Sequence, residues 1–344
     1  MRFKSGNEQG GLFDYQERKE ALSQMPTPLD RLNKRVDWEL FRVDLEGQLD
    51  YRCGPQGGRT PWCPVLMLKV IVLQKYYDLS EEQTEFQILD RFSFQRFLGL
   101  DAGDRVPDKN AIWAFKERLG KEGLRGCFDL FDEVLRETGL LASKGKIVDA
   151  SFVEVPRQRN TREENAQIKE GKTPEEWDHQ RDKLAQKDVD ARWAKKNAEN
   201  HYGYKNHVKC NAKTKLIENY AVTDASVHDS QPLVDLLEKS DGRLHADSAY
   251  RSEKMDEELK ERGIQNYIHE KGHRNHPLTE KQKESNTKKS RVRARVEHIF
   301  GFQVHQMGAN WIRTIGRKRA ERGIGLGNLV YNLFRYVQLG GTMM

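Results

Sequence analysis

Three acidic side chains stand where a carboxylate needs a reason: Asp149, Asp247 and Glu297. Asp149 sits late in the apolar, β-branched run 146–155, and Asp247 ends Leu244-His245-Ala246-Asp247. Both runs read as strands, and in mixed α/β sheets functional groups gather where strands end. A charge in so apolar a strand is costly unless it is paired or holds a metal. Taken singly, either Asp also suits the plain task of capping a turn or helix. Glu297 lies in 291–300, where Val292, Val296, Ile299 and Phe300 make a helical stripe, with Arg293 four residues before the acid on one flank. Alone, that is an ordinary surface ion pair of little energy. Arg291, Arg293 and Arg295 fall within five residues, after a loop carrying Lys288 and Lys289, and this density turns the helix toward phosphate.

The chemistry that would unite the three acids is phosphodiester cleavage. In-line displacement needs an activated attacking oxygen and neutralised charge on the leaving oxygen, and two divalent ions roughly 3.5–4 Å apart do both. Magnesium takes oxygen ligands and keeps most of its waters, so three converging carboxylates suffice and neither Cys nor His is required. Without metal, the same carboxylates repel one another.

The motifs Val148-Asp149-Ala150-Ser151, His245-Ala246-Asp247-Ser248-Ala249-Tyr250-Arg251 and Arg293-Ala294-Arg295-Val296-Glu297-His298 resemble the three acidic motifs of bacterial insertion-sequence DDE transposases, closest to the insertion-sequence-five type. The 50-residue gap between the last two acids, Val227-His228-Asp229, and the helical stretch 64–100 are similar to that family as well. The likeness runs from about residue 64 to 337 and is weakest over 157–200. It implies a ribonuclease-H-like catalytic domain, with Asp149, Asp247 and Glu297 as catalytic metal ligands for two Mg²⁺ (or Mn²⁺) ions. It also implies cleavage of double-stranded DNA at the element's terminal inverted repeats, and transfer of the 3′-hydroxyl into target DNA. The expected assembly is a homodimer or higher oligomer on DNA, in the bacterial cytoplasm and associated with the nucleoid. In the wider superfamily a Tyr, an Arg and a Lys accompany the Glu. Arg293 matches the Arg, while Ser290 and Val304 stand at the other two positions, leaving Lys288, Lys289 or Arg295 for the basic contact. Tyr250, Arg251, Arg291 and Arg293 complete the expected DNA-facing set.

The elements that must position these groups follow from patterning. Residues 1–140 read as an all-helical N-terminal domain for DNA-end binding or dimerisation. Pro64 opens an apolar helix, and Ser80-Glu81-Glu82-Gln83 has capping-box form. Asp108 precedes a helix through Trp113, and another runs over 122–138. Such an array suits DNA docking and a plain bundle equally. Residues 141–344 read as α/β, a ribonuclease-H-like mixed sheet flanked by helices. Its parts are the strand 146–155, a charged insertion at 157–200 unable to supply much core, a hairpin at 204–210 and 216–223, and a helix over 231–239. A strand at 243–247, a helix at 253–262, a strand at 264–268, a polar loop at 271–290 and helices at 291–302 and 326–337 complete it.

Other groups carry less. His228-Asp229 suits helix capping. His269, His273 and His276 lack tight ligand spacing, and Gly323-Ile324-Gly325-Leu326-Gly327 precedes a helix without following a strand, unlike a nucleotide fingerprint. Residues 328–337 read as packing, with Arg335 a candidate for DNA. The 344 residues carry 59 Lys plus Arg against 53 Asp plus Glu, a net +6 too small to argue nucleic acid unless it clusters. The four cysteines are scattered, which excludes a zinc knuckle and reads as reduced thiols. No signal peptide opens the chain, and the apolar run 65–73 is too short to span a bilayer, so a soluble intracellular protein is expected. Two other functions use the same residues: a hydrolytic nuclease that stops after cleavage, and a non-catalytic, transposase-derived DNA-binding protein.

Overall fold

The computed structural model describes residues 13–49, 60–101, 103–196, 198–272 and 276–340. His273 therefore lies outside the described residues. Six strands form one sheet: β1 Gly145–Glu154, β2 Arg192–Lys196, β3 Glu199–Asn211, β4 Ile217–Asp224, β5 Arg243–His245 and β6 Gln265–Asn266. β1 lies at the centre, antiparallel to β3 on one side and parallel to β5 on the other. β3 carries β2 along its first half and β4 along its second, and β6 closes the far edge parallel to β5. This is the expected mixed sheet, with helices packed on both of its faces.

Alternation along β1 divides the core. Ile147 joins Val208, Cys210, Ile299, Leu329 and the N-terminal helices on one face. Val148 faces the other way, with Leu236, Leu244, Tyr250, Met255 and Leu259. The first cluster runs without a break from Leu29 through Phe131 to Tyr336, and the Tyr76 and Phe334 rings stack 3.9 Å apart across it. The N-terminal helices thus share one core with the sheet.

Three readings of the sequence change. The basic stretch after 271 is helical from Glu280 to Arg293, started by a capping box in which Thr279 and Gln282 satisfy each other's backbone N–H groups. None of its residues is buried, so it has no apolar stripe by which to be recognised. A 3₁₀ turn, Ala294–Val296, then joins it to the helix Glu297–Met307, so Glu297 begins a helix where mid-helix was expected. The last helix starts nine residues early, at Arg317, and encloses the glycine run. A Cβ at Gly325 would come within 2.5 Å of the Tyr220 hydroxyl, so a larger residue there would have to displace that ring.

The insertion is also more integrated than its composition suggests. It supplies the edge strand β2, and Trp177 is wholly buried, donating to Glu164 at 2.7 Å. Asp188, buried, accepts from the Tyr204 hydroxyl at 2.8 Å and the Gly316 N–H at 3.0 Å, tying the segment to the sheet and the last helix. Among the described residues no helix is long and apolar enough to cross a membrane.

Candidate active site

Asp149 is held in the middle of β1, opposite Val208 of β3. The parallel ladder pairs Ile147 with His245. Asp247 lies two residues beyond the last pair of that ladder, and its charge acts on Asp149. The sheet persists at that level, since His269 donates its N–H to Ala246 O at 3.1 Å. Asp247 turns the chain out of β5 by accepting the Ala249 N–H at 2.7 Å, which caps the short turn Ser248–Tyr250. Glu297 arrives from the third direction, at the first position of its helix, with a side chain 63% exposed. One acid thus lies within the sheet, one just past the end of β5 and one at a helix start.

Arg293 lies among them. Its guanidinium donates to Asp149 Oδ2 at 2.5 Å and lies 4.0 Å from Glu297 Oε1. The other Asp149 oxygen accepts the Ala150 N–H at 2.9 Å. Asp149 is 8% exposed, and its carboxyl is raised to about 6. Burial is the main cause, and the charges of Asp247 and Glu297 add to it against the lowering by the Ala150 N–H and Arg293. One guanidinium thus serves acids that still repel each other. Two further polar atoms here are buried without a hydrogen-bond partner among the described residues, Arg293 Nε and the Tyr250 hydroxyl. Among the described residues no three His, Cys, Asp or Glu side chains are close enough to hold an ion as they stand. The donor set nevertheless suits a hard cation: all-oxygen, anionic, and short of positive charge.

The expected DNA-facing residues divide sharply. Tyr250 is a correction: its side chain is wholly buried, packed with Val148 and Ala246, so it offers DNA no surface. Arg251 pairs with Glu270 at 2.8 Å and with Asp256 at 3.5 Å. Lys289, little exposed, donates to Ile268 O at 2.8 Å and to Glu270 at 3.2 Å. Arg295 donates to Ala212 O at 2.7 Å, and Arg335 to Thr214 O at 2.8 Å. These groups brace the fold. Lys288 is exposed and pairs within its helix with Glu284, and Arg291 is exposed. Asp229 is not a helix cap, because its carboxylate pairs with the buried Lys205 at 2.8 Å, while Lys205 also donates to Val227 O. Its charge reaches Tyr250 together with those of Asp149 and Asp247. Sequence patterning does not reveal Asp229 as a neighbour of the acids. Lys205, in mid-strand, is the available hint that a carboxylate must come to meet it.

Comparison with known proteins bears on the same residues. Residues 142–333 match the family described as the transposase DDE domain, a span that includes all three acids. Residues 16–118 match a second model, described as a transposase domain. A solved structure, a cryo-EM piggyBac transposase synaptic complex with hairpin DNA, is similar at 11% identity, with 92% of this chain and 77% of that one covered and a TM-score of 0.43. The family match makes this a DDE-type polynucleotidyl transferase. The chain belongs to the transposase DDE family, whose insertion-sequence members bind DNA and use divalent metal ions.

Proposed function

We propose that Asp149, Asp247 and Glu297 are the catalytic carboxylates and hold two Mg²⁺ ions, for which Mn²⁺ can substitute. On this reading the protein cleaves double-stranded DNA at the terminal inverted repeats of its own element and joins the freed end to target DNA. The observation that carries it is one guanidinium, Arg293, reaching both Asp149 of the central strand and Glu297 at a helix start, with the charge of Asp247 also acting on Asp149. When bound, divalent ions supply the positive charge that activates an attacking oxygen and neutralises a leaving one. Asp149 and Asp247 contribute rigid oxygens, because the sheet fixes their backbones. Glu297, exposed at a helix start, is free to adjust. Arg293 gives up Asp149 when the site is loaded, and its guanidinium is then available to a DNA phosphate.

The reaction has two balanced steps. Water displaces the 3′ oxygen of the element's end, leaving a 3′-hydroxyl and a 5′-phosphate. That hydroxyl then displaces a target 3′ oxygen, forming one phosphodiester as another breaks. Residues 1–140 are assigned to DNA-end binding or dimerisation, supported by the transposase-domain match there. Asp247→Ala is expected to reduce Mg²⁺-dependent cleavage of an element-end duplex by about 10³-fold or more. Retained cleavage in that variant sinks the assignment. A pre-cut end should be joined to target by the unaltered protein, and failure to join it would leave a nuclease.

A further inference from the structure

The turn that joins β3 to β4 carries more positive charge than its own folding uses. Asn211 shapes it: the side-chain oxygen accepts the Lys213 N–H at 3.0 Å and the Thr214 N–H at 3.2 Å, and the carbonyl accepts the Lys215 N–H at 2.9 Å. Three side chains then hold the turn by its carbonyls. Arg295 donates to Ala212 O at 2.7 Å, Arg335 to Thr214 O at 2.8 Å, and the Tyr331 hydroxyl to Lys215 O at 2.9 Å. The turn is thereby tied to the 3₁₀ turn that leads into Glu297 and to the last helix.

Lys215 is the odd residue in it. Its φ is +62°, in the left-handed region where Gly or Asn is the usual occupant. A lysine there sets a backbone cost against whatever its side chain does. Lys213 is exposed and Lys215 half-buried, and among the described residues neither ammonium has a carboxylate partner. Glu218, further along the hairpin, is taken by Lys146 and Asn211, and Glu297 faces Arg293. Burial, then the charges of Arg335 and Arg295, hold Lys215 below the ordinary range of an ammonium. Lys213, Lys215, Arg295 and Arg335 thus meet at one turn without an anion among the described residues. The place matters as much as the charge. Asn211 pairs with Lys146, three residues before Asp149, so the turn begins about 10 Å along the strand from that acid. A duplex rises about 3.4 Å per base pair, so a backbone held at the acids passes the turn about three base pairs away.

We propose that this turn is a phosphate clamp, in which Lys213 and Lys215 contact the DNA backbone beside the cleavage position while Arg295 and Arg335 hold the turn in place. This rests on DNA being cut at the three acids, as proposed above. The test compares Lys213→Ala combined with Lys215→Asn against the unaltered full chain, in binding titrations at several salt concentrations. Two DNAs are used, an element-end duplex and a random-sequence duplex. Losing two phosphate contacts should lower the log–log salt slope by about two units. Asn tolerates the left-handed backbone, so the melting temperature should hold or rise slightly. Phosphate contacts carry no base information, and an equal fall on both duplexes is expected. A fall on the element end alone places the clamp on that end, and a fall on the random duplex alone places it on target DNA. Lys213→Ala by itself, at an exposed position, should lower the slope by about one unit and carries the test if the double variant is unstable. An unchanged slope on both duplexes overturns the proposal. Should the unaltered protein then still cut with Mg²⁺, and Asp247→Asn not, the clamp is refuted and the acids stand. If the unaltered protein neither binds nor cuts either duplex, the reading of the acids falls and the clamp with it.

Discussion

Lys146 and Asp149 stand three residues apart on β1, yet their charges are handled in opposite ways. Lys146 donates to Glu218 at 2.6 Å and to Ser143 O at 3.1 Å, and Glu218 also accepts from Asn211 at 3.0 Å. One strand over, Lys209, with no exposed side-chain surface, is bracketed by Glu238 at 2.9 Å and Asp241 at 3.2 Å. At that end of the sheet both buried lysines have opposite charges within hydrogen-bond reach, though nearby Asp132 keeps one oxygen unbonded among the described residues. At the Asp149 end, Asp149 and Glu297 share Arg293, and two polar atoms stay unbonded among the described residues. The contrast fits the proposed function: charge is compensated around Lys146 and Lys209, and left short where, on that proposal, an external cation and a polyanion complete the balance.

The sharpest way to break that comparison is to remove one charge from each end. Lys209→Met leaves the Asp241 carboxylate enclosed and without its cation, and should cost about 3–5 kcal/mol of stability in denaturant titration. Asp247→Asn removes a half-buried charge with little stability change, while abolishing DNA cleavage. Were the two variants equally destabilised, the ends would not differ as described.

Much of this contrast is legible in part. The strands carrying Asp149 and Asp247 show because apolar, β-branched residues flank each acid. Their adjacency does not show, since the parallel register of β1 and β5 joins segments far apart in sequence. Glu297 reads as mid-helix because the helix Glu280–Arg293 has no apolar stripe, and only Thr279 and Gln282 announce it. Tyr250 reads as DNA-facing from its place beside Arg251, whereas its burial comes from packing on Val148 and Ala246. Periodicity reports which face of an element is apolar; it does not report which distant element will cover a turn.

The second test follows pH. Asp149 titrates near 6 in the fold against an ordinary value near 4, so between those values the folded protein binds the extra proton. Stability of the metal-free protein should therefore fall as pH rises from about 4 to 6, and stay lowered above it. Asp149→Asn removes that cost. It should be more stable than the unaltered protein above pH 6, on the order of 2 kcal/mol, with the advantage shrinking toward pH 4. A pH-independent difference between the two would mean that burial and the neighbouring acids do not act on Asp149.

The finest test separates cations that brace the fold from those free to meet DNA. Arg291 is exposed on the helix that leads to Glu297, while Lys289, two residues earlier, is spent on Ile268 O and Glu270. Removing one cation from a DNA phosphate lowers the salt dependence of affinity by about one unit of log–log slope. Arg291→Ala should show that decrease in binding titrations at several salt concentrations, with folding stability changed by less than about 0.5 kcal/mol. Lys289→Ala should do the reverse: an unchanged slope and a loss of about 1–2 kcal/mol, from a hydrogen bond and a partly buried ion pair. If Lys289→Ala flattens the slope instead, its bonds to Ile268 and Glu270 are given up on DNA, and this helix grips the phosphates with a longer basic face.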